Sequence, residues 1–253
     1  MNVLVCVKRV PAPGAKIVLT PDGRDIDTRH LGFTVSPHEE CAIEEAVRLA
    51  ERHGGSSCVL TVGPPEADEQ LRYAMAMGVT DGVLVEAAEP WDPQATAAAI
   101  VDAVRRLEAD GKSFDLILFG NESADAGNYQ VGVRVAHALG LPMVSGIKGI
   151  DVGDGTVTLR RATPAGFERY ELPLPAAVAV KEGINLPRYP AVTGRLKAKK
   201  AQVRTFQPAP KAGGLELVVL RHPPQEETET VLLGAGADAA PRAADVLAEL
   251  GLL

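Results

Sequence analysis

The strongest constraint on the fold is the alternation of short apolar runs with amphipathic stretches along the first 140 residues. Four runs rich in Val, Leu and Ile have the length and β-branched character of strands that are buried on both faces. Stretches of helical periodicity follow them, and Gly54, Gly78 and Gly140 mark three helix ends. This alternation predicts an α/β protein with a doubly wound, mostly parallel sheet. The predicted strands are residues 3–7, 58–62, 82–86 and 114–119. The first predicted helix begins at Ser36–Pro37, and three further helices are predicted at 67–77, 93–109 and 128–139.

A different pattern begins at Asp151. Asp154-Gly155 lies between two alternating runs, 149–152 and 156–160, which is a strong hairpin signal. Further strands are predicted at 167–172 and 176–180, and no helix is indicated again before 240–250. We therefore expect a C-terminal antiparallel extension and tail after the parallel core. The predicted regions are an α/β core (1–150), antiparallel strands with an irregular loop (151–206) and a C-terminal arm with a terminal helix (207–253).

Charge and composition exclude several classes of protein. The formal net charge is −7 and the pI about 5.3, whereas proteins that bind nucleic acid through its phosphates are usually basic. Cys6, Cys41 and Cys58 lie far apart without a Cys-x-x-Cys pair, so neither a zinc ribbon nor a disulfide framework is expected. No apolar run approaches the ~18 residues of a membrane-spanning helix, and the chain opens on a strand-like run rather than a signal peptide. We expect a cytoplasmic protein without a metal, nucleic acid or membrane insertion.

One segment is opposite in charge to the rest of the chain. Residues 183–215 contain no Asp or Glu but seven Lys or Arg, so the remainder carries −14, the −7 of the whole minus the +7 of this segment. A basic patch on an acidic protein is typical of a docking surface. A solvated run of charge is the simpler interpretation, and both stay open on the residues alone. The basic residues are Arg188, Arg195, Lys197, Lys199, Lys200, Arg204 and Lys211.

Residues 120–132 are the best candidate for a ligand site. Open parallel sheets bind ligands outside the carboxyl ends of their strands, and this segment joins the fourth predicted strand to a helix. Free N–H groups at the start of that helix, together with its dipole, favour a phosphate. The alternative is an ordinary connecting loop, although the length and glycine content favour nucleotide binding. No Gly-x-Gly-x-x-Gly, Walker A sequence or nucleophile elbow is present, and no catalytic constellation is indicated.

Several motifs, in order along the chain, resemble the β-subunit of electron-transfer flavoproteins. The most specific is the pairing of Pro187-Arg188-Tyr189 with Lys197-Ala198-Lys199-Lys200. The resemblance covers nearly the whole chain to about Arg204 and is thin beyond Gln207. The other matching motifs are Val7-Lys8-Arg9-Val10-Pro11, the Glu-Glu-Ala-Val-Arg-Leu run that ends at Leu49, Ala74-Met75-Ala76-Met77-Gly78 and residues 120–132.

This resemblance implies an adenine-nucleotide α-hydrolase-like sheet in a subunit that carries electrons without catalytic side chains of its own. It implies a heterodimer in which an α-subunit holds most of a redox-active FAD, while this chain binds a structural AMP. Electrons would pass from acyl-CoA-type or other flavin dehydrogenases to an acceptor oxidoreductase. Carried over by motif, the AMP contacts fall on Cys6, Ser36, Pro37, His38, Glu39, Val62, Glu122, Ser123, Ala124, Asp125, Ala126, Gly127, Asn128, Tyr129, Gln130, Val131 and Gly132.

The same resemblance places partner recognition on the basic segment. Val192 takes the position of a hydrophobic anchor that is usually Leu. Lysines around one apolar side chain would suit a partner surface with an acidic or neutral rim. The implied docking residues are Pro187, Arg188, Tyr189, Val192, Lys197, Lys199 and Lys200.

Departures from the family pattern leave the nucleotide open. Tyr129-Gln130-Val131-Gly132 stands where AMP-binding members usually have Asn-Gln-Thr-Gly, so one hydroxyl donor is missing. Gln-Val-Gly is closer to flavin-bifurcating relatives, whose β-subunit holds a second FAD and meets NAD(H), but their Asp-Gly-Asp-Thr-Ala pattern is absent. A stand-alone adenine-nucleotide sensor would share the sheet and the phosphate loop, but it has no need for the basic segment.

Overall fold

The computed structural model describes residues 1–87, 92–208, 214–224 and 230–253. The strands of these ranges are β1 (Asn2–Val7), β2 (Val10–Pro11), β3 (Phe33–Thr34), β4 (Ser56–Gly63), β5 (Asp81–Glu86), β6 (Leu116–Gly120), β7 (Met143–Val152), β8 (Thr156–Thr163), β9 (Gly166–Pro173), β10 (Ala176–Val180) and β11 (Val203–Phe206). The α-helices are α1 (Pro37–His53), α2 (Asp68–Met77), α3 (Pro93–Ala109), α4 (Val131–Leu139), α5 (Val192–Lys200) and α6 (Ala240–Glu249).

The described strands form a nine-stranded sheet in the order β11-β5-β4-β1-β6-β10-β7-β8-β9, and β2 and β3 pair separately. Neighbours from β11 to β7 are parallel, and β7, β8 and β9 are antiparallel. α1, α2 and α5 contribute to the core on one face, over Val3 and Val5 of β1, while α3 and α4 cover Leu4 on the other. The doubly wound, mostly parallel sheet predicted from the alternation is confirmed.

Local chemistry explains where α1 and α4 begin. The Ser36 hydroxyl accepts the N–H of Glu39 (3.2 Å), and the Glu39 carboxylate accepts the N–H of Ser36 (2.9 Å), which forms a capping box. α4 begins at Val131, three residues after the predicted start at Asn128. That boundary was wrong because Tyr129 has a φ of 56°, which no right-handed helix contains.

The position of β10 corrects a second expectation. The sequence pattern places this strand in the antiparallel extension, but it lies in the parallel sheet between β6 and β7. Among the described strands of the nine-stranded sheet, only β7, β8 and β9 pair in antiparallel fashion. β10 is buried throughout, as a central strand must be, but the residues of a strand do not specify its neighbours.

The helix α5 is not predicted by the sequence pattern, because it has no apolar stripe. Contact with α2 holds it instead: Arg72 Nη1 donates to the carbonyl of Ala198 (2.5 Å), and Arg72 Nε is paired with Asp68 (2.5 Å). Gly194 lets α5 approach so closely that the carbonyl oxygen of Ala76 occupies the space of a β-carbon. β11 follows and adds a parallel edge strand beside β5.

Residues 219–253 form a second compact unit and are described by themselves. The helix predicted at 240–250 is present as α6, which has Pro241 in its first turn. Leu247 and Leu250 are exposed, so the amphipathic face of α6 is not buried. Across the described ranges, we find no helix with the length and apolar character needed to cross a membrane.

Gly194→Ala should loosen α5 from α2. In a free helix this change is favourable by about 1 kcal/mol, but overpacking against the Ala76 carbonyl should cost about 1–3 kcal/mol and prevail. Amide hydrogen exchange in α5 should therefore become faster. Thr193→Ala, at an exposed neighbour in the same helix, should leave the exchange no faster than in the parent. Equal protection of α5 in both variants would contradict this packing.

Candidate functional site

The carboxyl ends of β1 and β6 form the crevice where a ligand is expected. From β1 the sheet grows through β4 and β5, and the chain then returns to the other side of β1 with β6. The loops after β1 and β6 therefore lead to helices on opposite faces of the sheet, α1 and α4. Open α/β sheets bind ligands at such points. Cys6, Val62 and the loop 122–130 lie at this edge, as the sequence predicts.

Three chain segments meet here through charged groups. Lys8 follows β1, and its Nζ lies 2.5 Å from Oδ2 of Asp125 in the loop after β6. The N–H of Lys8 donates to Oε1 of Glu39 (2.9 Å), which joins the same residue to α1. Burial raises the pKa of Asp125, but the Lys8 ammonium outweighs it and holds that pKa below its usual value. The loop after β6, β1 and α1 are thus connected through one lysine.

Glu122 is the centre of a second cluster. The His38 Nδ1 accepts the N–H of Glu182 (2.7 Å), so the ring hydrogen lies on Nε2, 3.1 Å from Oε1 of Glu122. The side chains of Asn121 and Tyr129 also donate to this carboxylate. Burial opposes its ionisation, but these donors lower the pKa of Glu122. His38 therefore links the loop after β6 to the end of β10.

The helices that begin at this edge differ in their N-terminal caps. α1 is closed by Ser36, and α3 by Asp92, whose carboxylate accepts the N–H groups of Gln94 and Ala95. α2 continues from a 3₁₀ turn and carries two acids in its first turn. α4 has neither a side-chain cap nor an acid in its first turn, and Gln130 occupies its N-cap. The first amides of α4 and its dipole are therefore open to an anion.

The loop before α4 is shaped by its own backbone. The N–H of Gly127 donates to the carbonyl of Ser123 (3.1 Å), and the N–H of Ala126 donates to Oδ1 of Asp125 (2.7 Å). Gly127 and Tyr129 have φ angles of 54° and 56°, in the left-handed region that is uncommon for a residue as bulky as Tyr. Such strain is most often found at functional loops. Of the other predicted members, Ala124 and Asn128 are exposed, and Val131 and Gly132 open α4.

Several predicted site residues serve packing. A β-carbon at Gly120 would lie 2.7 Å from Cγ of Glu39, and one at Gly132 would lie 2.9 Å from Cε of Met143. Cys6 is buried, and burial raises the pKa of its thiol, so it offers a neutral surface rather than a thiolate. Pro37 takes the first position of α1, which suits its fixed φ. Among the described residues, no three His, Cys, Asp or Glu side chains are grouped to hold a metal ion.

The predicted docking segment, taken as residues 183–200, begins with a part that is fixed to α1. Arg188 binds two carboxylates of that helix: Nε lies 2.9 Å from Glu44 Oε2, and Nη1 lies 2.8 Å from Glu51 Oε1. The guanidinium is therefore occupied within the chain. Tyr189 and Val192 are instead 86% and 75% exposed. The predicted residues thus divide into an inward-facing arginine and outward-facing apolar side chains.

Sequence reasoning missed two exposed apolar side chains of the same segment, Leu186 and Leu196. Leu196 lies four positions after Val192 in α5, so the two share a helix face. That spacing is a usable signal only once α5 is known to be a helix. Among the other predicted docking residues, Pro187 is half-buried and Lys197, Lys199 and Lys200 are exposed, while Lys211 of the basic segment lies outside the described residues.

Comparison with known proteins identifies the family. Residues 25–211 match the electron transfer flavoprotein domain. The chain belongs to the electron-transfer flavoprotein family. It is 31% identical over 257 residues to the electron transfer flavoprotein subunit beta of Bacillus subtilis (strain 168), which covers 98% of this chain and 97% of the relative. The subunit of that name from Syntrophomonas wolfei is 34% identical over 225 residues, 88% of this chain and 86% of the relative.

A relative with a different name extends the comparison. The acryloyl-CoA reductase electron transfer subunit gamma of Anaerotignum propionicum is 32% identical over 197 residues, 77% of this chain and 73% of the relative. The resemblance to electron-transfer flavoprotein β-subunits, inferred from motifs, is therefore confirmed. Members of this family carry electrons in complexes that contain flavin, rather than catalysing reactions with their own side chains. The individual nucleotide and docking contacts stay predictions.

Glu39→Gln should flatten the pH dependence of stability. Burial raises the pKa of the Glu39 carboxyl from 4.5 to about 7 in the folded chain, although the N–H groups of Ser36 and Lys8 donate to it. The folded state therefore holds a proton that the unfolded state has released, and the free energy of unfolding falls as pH rises from about 4.5 to about 7. Between about pH 5 and about pH 8, the parent should lose roughly 2–3 kcal/mol that the variant keeps.

Urea unfolding of parent and variant across this pH range measures the difference. Other titrating groups are common to both proteins, so their contributions cancel when the two curves are subtracted. Parallel curves for the parent and the Gln variant would show that Glu39 does not carry this linkage.

Proposed function

We propose that this chain is the β-subunit of a heterodimeric electron-transfer flavoprotein that holds a structural AMP and docks flavin dehydrogenases. An α-subunit would hold most of the redox-active FAD. Relatives named as beta subunits align over nearly the whole chain, which supports the subunit assignment. The observation that carries the nucleotide proposal is the uncapped start of α4 at the carboxyl ends of β1 and β6.

The residues at this crevice suit a nucleoside monophosphate. The open amides at the start of α4 can donate to a phosphate, and Lys8, although paired with Asp125, brings a cation to the same edge. Val62 is a half-buried neutral side chain at this edge, and Cys6 on the adjacent strand is buried and neutral. AMP supplies no redox chemistry when bound. Its role would be to stabilise the folded arrangement of the segments that meet there, as any ligand of the native state does.

The proposed electron path runs through partners of two kinds. The relative named acryloyl-CoA reductase electron transfer subunit gamma supports an enzyme that acts on a CoA ester as one partner. The electron donor that we propose is an acyl-CoA-type flavin dehydrogenase. An acceptor oxidoreductase would take the electrons from the FAD held by the α-subunit. This chain contributes a binding surface to both steps, and none of its side chains reacts.

The docking surface that we propose is the exposed part of the basic segment. Tyr189 and Val192 are exposed, and three exposed lysines follow them in the last turn of α5. Pro187 and Pro190 limit the freedom of the preceding stretch, which lowers the entropy lost on binding. An acidic partner with an apolar recess fits this combination.

A second FAD in place of AMP is the alternative that the Gln130-Val131-Gly132 sequence favours, and this chain would then also meet NAD(H). The nucleotide content of the denatured heterodimer decides between them. One FAD and one AMP per heterodimer supports the proposal, and two FAD support the bifurcating type. A nucleotide-loaded chain that purifies without an α-subunit or flavin would instead favour a stand-alone sensor.

Gln130→Glu should expel the nucleotide while leaving α4 intact. A carboxylate at this N-cap interacts favourably with the helix dipole, by about 0.3–1 kcal/mol, but it repels a phosphate at the same place. The affinity for AMP should fall about tenfold or more, which corresponds to a loss of about 1.4 kcal/mol, so the purified heterodimer should contain less AMP than the parent. Chromatography of the released nucleotide measures the content, and far-UV circular dichroism checks the fold.

Gln202→Glu is the matched control, because it makes the same change immediately before β11, at the opposite edge of the sheet. It should retain the parent's AMP. Full nucleotide content in the Gln130 variant would show that the phosphate does not bind at the start of α4.

Val192→Ala should weaken electron transfer from a flavin dehydrogenase and leave the flavin spectrum unchanged. Removal of two methyl groups that the partner would bury should cost about 1–2 kcal/mol and mainly speed dissociation. A variant with Lys197, Lys199 and Lys200 all changed to Ala should lose most of the salt dependence of association, because those charges act at long range. Stopped-flow reduction of the heterodimer across a salt series measures both effects.

Val18→Ala removes an exposed valine outside the basic segment and serves as the control. It should react at the parent rate. Parent rates at every salt concentration in both docking variants would mean that the basic segment is only a solvated surface.

A further inference from the structure

The docking segment is joined to α1 by a cluster of charges with a buried centre. The Glu44 side chain is only 2% exposed, and Nε of Arg48 lies 2.5 Å from its Oε1. Its Oε2 accepts both Nε of Arg188 (2.9 Å) and the N–H of Arg188 (3.0 Å). One carboxylate therefore fixes the backbone of the docking segment as well as its side chain. Burial raises the pKa of Glu44, but the two arginines outweigh it and lower that pKa.

Neighbouring residues of the segment are tied to the same helix. Asn185 Nδ2 donates to the carbonyl of Cys41 and to Oε2 of Glu45, both at 3.0 Å. Nη2 of Arg48 donates to the carbonyl of Leu186 (3.2 Å). The segment is thus bonded to α1 at residues 185, 186 and 188, while the side chain of Leu186 is 84% exposed.

We infer that Glu44 is a positioning residue for partner docking: by binding Arg188 and Arg48 it holds residues 183–189 in the shape that presents Leu186 and Tyr189 to a partner. This inference rests on the proposed docking function. A segment that is ordered before binding loses less conformational entropy on association. Arg188 then binds α1 rather than the partner. The partner contacts the apolar side chains of Leu186 and Tyr189, and the lysines of α5 follow them in the sequence.

Glu44, rather than Glu51, is the residue on which this arrangement depends. The Glu51 side chain is 59% exposed, and ion pairs in water contribute little. Glu44 is buried between α1 and the segment, where loss of one partner leaves the remaining charges poorly compensated. Removal of the Glu44 charge should therefore release the segment, although Arg188 can still reach Glu51.

Glu44→Gln tests the inference in the flavin-loaded heterodimer, with a purified acyl-CoA-type flavin dehydrogenase as the probe. Gln keeps the shape and one carbonyl acceptor but removes the charge that pairs with two arginines. Amide exchange across residues 183–189 should be about fivefold faster or more, and the KM for the heterodimer as electron acceptor should rise about tenfold. The kcat and the flavin absorption should stay at parent values, because nothing at the flavin has changed.

Asp102→Asn is the matched control. It removes a carboxylate from an i,i+4 pair with Arg106 (2.8 Å) in α3, on the opposite face of the sheet. Exchange in the docking segment and KM should both stay at parent values. Glu44→Asp, which keeps the charge on a shorter side chain, should lie between the parent and the Gln variant.

The outcomes separate this inference from the docking function. A parent KM or parent exchange in Glu44→Gln, with a raised KM in Val192→Ala, overturns the role of Glu44 and leaves the docking surface in place. A parent KM in both variants overturns the docking surface and this inference together. If Glu44→Gln fails to fold, Arg188→Lys replaces the planar guanidinium by a single ammonium and leaves Glu44 paired with Arg48. The same rise in exchange and KM is then expected, and parent values overturn the inference.

Discussion

The reversal of strand order at β1 is the constraint on which the rest of this structure depends. Because β4 flanks β1 on one side and β6 on the other, the loop after β1, the start of α1 and the loop after β6 end at one place. Lys8 makes this convergence visible, since its ammonium binds Asp125 and its N–H binds Glu39. A small displacement of β1 relative to β6 would separate these groups, so the geometry of the crevice is set by the register of the central strands.

At the crevice, the chain closes the starts of α1 and α3 with acidic side chains and leaves the start of α4 open. Glu39 and Asp92 occupy the N-terminal turn or cap of α1 and α3, where carboxylates interact favourably with the helix dipole. α4 has no such group. An anion bound there would meet backbone amides rather than a basic surface, so the proposed site is compatible with a net charge of −7. The acidic side chains nearby belong to the fold: Glu122 faces His38 and Asp125 faces Lys8.

The sequence predicts those features that local chemistry determines. Ser36, Pro37 and Glu39 indicate the start of α1 because a cap, a fixed φ and a first-turn acid act within one turn. α5 is missed because it has no apolar periodicity of its own and is held by packing against α2. Gly194 permits this packing, since it leaves room for the carbonyl oxygen of Ala76. The neighbours of β10 depend on residues far away in sequence. The family motifs place Arg188 in the predicted docking segment, but only the folded chain brings Glu44 of α1 to it.

The position of β10 also constrains the order in which the strands of the sheet can pair. β6 and β7 are separated by the width of one strand, and the residues that fill the gap come from β10, after the whole β8–β9 hairpin. Without β10, the edges of β6 and β7 that face each other in this sheet would have unpaired N–H and C=O groups. Pairing of β10 spans a long stretch of chain, and such non-local contacts form slowly. The N-terminal core thus becomes a continuous sheet only when β10, at the end of the antiparallel extension, folds back into it.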